Sequence, residues 1–78
     1  MLSPQSILDT YYLEARRDLL EVAALLDRYD ESVKRETSPA MDESKLDSLI
    51  GAIKILSLAN HPQHNRVEQL LKHFAEVS

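Results

Sequence analysis

The stretch LDTYYLEARRDLLEVAALLDRYDESV, Leu8 to Val33, sets Leu8, Tyr12, Ala15, Leu19, Val22, Leu26, Tyr29 and Val33 at alternating spacings of four and three residues. That alternation keeps all eight side chains on one side of an α-helix, so the sequence predicts a long first helix with a continuous apolar seam. Ser3 before Pro4 reads as an N-cap with proline at the first helical position, where its missing N–H costs nothing. No glycine or proline follows until Pro39, and the polar run Glu31 to Ser38 predicts a stop near Arg35.

Two shorter patterns follow. Asp42, or Ser38 with Pro39 behind it, can cap a second helix whose stripe is Leu46, Leu49, Ile50, Ile53 and Leu56. Pro62 disfavours helical geometry at His61 and sets the end of that helix near Asn60. The same proline is expected to open a third helix, with Val67, Leu70, Leu71, Phe74 and Val77 as its stripe. The fold class expected is all-α: a three-helix protomer with a long first helix, an antiparallel bundle, and residues 1–78 forming a single helical domain.

Projected at 100° per residue, the first helix carries a second apolar stripe of Leu13, Leu20 and Ala24, with Thr10, Glu14, Arg17, Glu21 and Arg28 on a narrow polar face. The second helix is apolar almost all round, since Ile55, Leu58 and Ala59 lie away from its main stripe and only Asp47 and Lys54 form a polar strip. Three helices in one small protomer cannot surround such a helix. A symmetric homodimer through the first two helices covers it, and Gly51 marks a close helix crossing.

Composition narrows the function classes. Nine Lys and Arg against 13 Asp and Glu give a formal charge of −4, unfavourable for a polyanionic partner. Arg66 and Lys72, offset by Glu68 and Glu76, do not make a phosphate-tracking face, so nucleic acid is not an expected partner. With no cysteine, thiolate chemistry, disulfides and thiolate metal sites are ruled out. The opening Met-Leu-Ser-Pro-Gln-Ser has no basic run before an apolar stretch, and no segment approaches the roughly 20 apolar residues of a membrane span. A soluble cytoplasmic protein with no membrane partner is expected.

The pattern Tyr11-x-x-Glu14-Ala15-Arg16-x-x-Leu19-Leu20-x-x-Ala23-Ala24-x-Leu26-Asp27-Arg28 resembles the opening helix of a group of short, uncharacterised bacterial all-helical proteins. The likeness covers the first half of the chain and, more loosely, the Ile55-Leu56 and Arg66-Val67-Glu68 regions. It implies a small bacterial helical protein and carries over no functional residues.

Candidate chemistry is sparse. Glu14, Arg17 and Glu21 are spaced as a solvated ion-pair ladder. Asp18 falls between Tyr11, Val22, Leu25 and Tyr29 near the seam's edge, where a half-buried carboxylate needs a donor. His61, His64 and Glu68 would present two imidazoles and a carboxylate to zinc or iron on an ideal helix. His61 precedes Pro62, however, which spoils that alignment, so no metal or cofactor is expected. His73 lies on another face of the third helix and is expected at the surface. The reading favoured is a non-enzymatic interaction or structural protein acting through self-association and a possible protein partner, with no catalytic, cofactor-binding or metal-ligating residue. The alternative is a metal-binding helical bundle with His61, His64 and Glu68 as ligands and Asp18 as a fourth.

Overall fold

The computed structural model describes residues 3–58 and 65–77. It holds three helices, α1 Pro4–Glu36, α2 Ser44–Leu56 and α3 Arg66–Val77, with no strand among the described residues. The chain is all-α. It divides into two compact units, Met1–Pro39 built on α1 and Ala40–Ser78 holding α2 and α3.

α1 follows its sequence signals at both ends. Ser3 is extended (φ −70°, ψ 162°), and its hydroxyl oxygen accepts the Ser6 N–H at 3.1 Å, while Pro4 begins the helix. This cap satisfies one of the donors that a helix leaves orphaned at its start. At the far end Lys34 and Arg35 sit in the last turn, where cations suit the helix dipole. Thr37 then stops the helix in the left-handed region (φ 59°, ψ 24°), with its hydroxyl donating to the Glu36 carbonyl at 2.6 Å. A β-branched residue in that conformation is strained, because its Cβ crowds the backbone.

The second unit departs from the sequence reading at four places. α2 starts with Glu43 as its flanking residue, yet Asp42 still serves the new helix, its carboxylate accepting the Ser44 N–H at 2.9 Å. That bond holds the Asp42 carboxyl below its usual range. α2 ends at Leu56, short of Asn60. Ser57 closes it, donating from its hydroxyl to the Lys54 carbonyl at 2.8 Å and from its N–H to Ile53 at 2.9 Å, which satisfies terminal carbonyls locally and leaves Leu58 beyond the helix. α3 begins at Arg66. Its entry is made by Asn65, whose carbonyl and side-chain oxygens accept the Gln69 N–H at 2.9 Å and the Gln69 amide at 3.0 Å. Pro62 lies outside the described residues.

The fourth departure concerns the face by which α2 meets α3. The expected stripe is split: Leu46, Leu49 and Ile50 are half-buried, whereas Ile53 (40% exposed) and Leu56 are exposed. The fully buried residue of the described chain is Ala52, 7% exposed, beside the half-buried Gly51, Ser48 and Ile55. Ser48, Gly51, Ala52 and Ile55 form their own i, i+3, i+4, i+7 stripe of mostly small residues. The His73 ring lies directly over Gly51, so that a Cβ there would stand 2.7 Å from His73 Cε1. His73 Nε2 meets the Ser48 carbonyl at 2.8 Å, and since a carbonyl only accepts, the ring nitrogen is the donor. His73 is therefore part-buried in the helix crossing, which corrects its expected surface position. The small residues of α2 leave room for the His73 ring, and Gln69 and Leu70 of α3 are half-buried as well. Val67, Leu71 and Phe74, three of the apolar residues expected to pack, are left exposed.

Candidate functional site: the apolar face of α1

About 50 Å long at 1.5 Å per residue, α1 carries the largest exposed apolar surface of its unit. Leu8 is 64% exposed, Tyr12 61% and Leu19 67%, so the first half of the seam stands open. Its second half, Val22, Leu26, Tyr29 and Val33, is half-buried. Leu13 and Leu20 of the second stripe are 71% and 56% exposed, and Ala24 is half-buried. Between the two stripes runs a shallow trough lined by Tyr12, Ala15, Arg16, Leu19, Leu20 and Ala23. Ala15 and Ala23 contribute only methyl groups to this lining, and Arg16 contributes a stem that is hydrocarbon up to its charged head.

The charged residues around this face are solvated. Arg17 reaches Asp18 at 3.4 Å and Glu14 at 3.9 Å, and every one of these side chains is more than 60% exposed. Asp18 is thus neither half-buried nor in need of a tyrosine donor, contrary to its expected role. On the wheel it lies at the seam's margin, yet its side chain is 61% exposed and the adjacent guanidinium supplies its contact. The expected rung from Arg17 to Glu21 is not formed. Exposed pairs of this kind contribute at most about 1 kcal/mol.

Of the alternative metal set, Glu68 lies exposed in the first turn of α3, while His61 and His64 lie outside the described residues. No group of three or more potential ligands converges among the described residues. No described helix is long and apolar enough to cross a membrane. The contact hardest to read from sequence is that of His73. It falls outside the apolar stripe of α3, and only the glycine 22 residues upstream hints that a side chain from elsewhere needs room there.

Searches against protein-family models, characterised proteins and solved structures find no match to this chain.

Proposed function

We propose that this chain is a small all-α interaction protein that acts by self-association: three helices of one protomer form part of an antiparallel bundle that a second copy completes through α1 and α2. The reading makes it a non-catalytic, cytoplasmic bacterial protein. The observation that carries it is the open half of the α1 seam, where Leu8, Tyr12 and Leu19, with Leu13 and Leu20 beside them, are each more than half exposed. Burying one such side chain is worth about 1.5–3 kcal/mol, and contiguous apolar patches of this kind mark association surfaces on folded proteins. Ile53 and Leu56 of α2, exposed because the α2–α3 contact uses the small-residue stripe, add a second apolar surface of the same character.

Sedimentation equilibrium at tens of micromolar tests the proposal. The expected mass is twice that of the chain, falling towards a single chain in Leu19→Asp with helical circular dichroism retained. A wild-type protein that sediments as a folded monomer refutes it.

A further inference from the structure

We draw no further inference here: the strongest candidate, the exposed apolar face of α1 at Leu8, Tyr12 and Leu19, belongs to the surface already described, and nothing in the structure shows what covers it or in which orientation.

Discussion

Gly51→Ala sets two effects of opposite sign against each other. In a helix interior alanine is favoured over glycine by about 0.8–1.0 kcal/mol, so on propensity alone the change stabilises α2. Here the new Cβ would stand 2.7 Å from His73 Cε1 and 3.0 Å from His73 Nε2, closer than packed atoms tolerate. The imidazole must move, and moving it strains or breaks the 2.8 Å bond to the Ser48 carbonyl. Overpacking of this kind costs about 1–3 kcal/mol, a range that takes in a lost hydrogen bond of about 0.5–1.5 kcal/mol. Subtracting the propensity gain leaves a net destabilisation of about 1 kcal/mol. The same substitution in a His73→Ala background meets no ring, and there it should stabilise by about 0.5–1 kcal/mol. Urea melts of the four proteins at one fixed chain concentration measure the sign change, the fixed concentration removing any contribution from association. A stabilising Gly51→Ala with His73 present, or an equal effect in the two backgrounds, would refute the His73–Gly51 contact as the determinant of the α2–α3 crossing.

Thr37→Gly should stabilise the chain by about 0.5–1 kcal/mol, because glycine removes a left-handed strain of roughly 1–2 kcal/mol and returns part of it as unfolded-state entropy. Thermal melts should show a midpoint several degrees higher, and a lower midpoint would mean that the threonine hydroxyl bond outweighs the strain. Asp42 supplies a pH signature. Its folded-state carboxyl is held below the ordinary value of 3.8, first by the Ser44 N–H and then by the Ser44 hydroxyl, so the folded chain binds fewer protons than the unfolded one just below that pH. Its contribution is complete above about pH 4 and is lost as the pH falls through the depressed value. The stability difference between wild type and Asp42→Ala, from urea melts at pH 7 and at successively lower pH below 3.8, should hold constant and then shrink, and a difference that grows on acidification would contradict the assigned bond.

What the sequence made legible was governed by local rules. Ser3, Pro4, the uninterrupted seam and the polar run before Pro39 define α1 to within a residue of its end at Glu36, because capping and periodicity depend only on neighbours along the chain. The α2–α3 contact was not legible for a physical reason. Apolar periodicity weighs large side chains, whereas the contact seats the His73 ring over Gly51 and against the Ser48 carbonyl, which a wheel of leucines does not register. Asp18 failed differently. Its wheel position at the seam's margin is right, but burial depends on a covering element, and its side chain is 61% exposed beside Arg17.

The architecture of α1 bears on how the protein is made. Its 33 residues close their backbone hydrogen bonds within four positions, so none of those bonds waits on a residue downstream. At 5–20 residues per second, the 41 residues from Thr37 to Val77 take about 2–8 s to synthesise, while helix formation itself takes microseconds or less. Backbone order in α1 thus has seconds in which to form before the last turn of α3 is added.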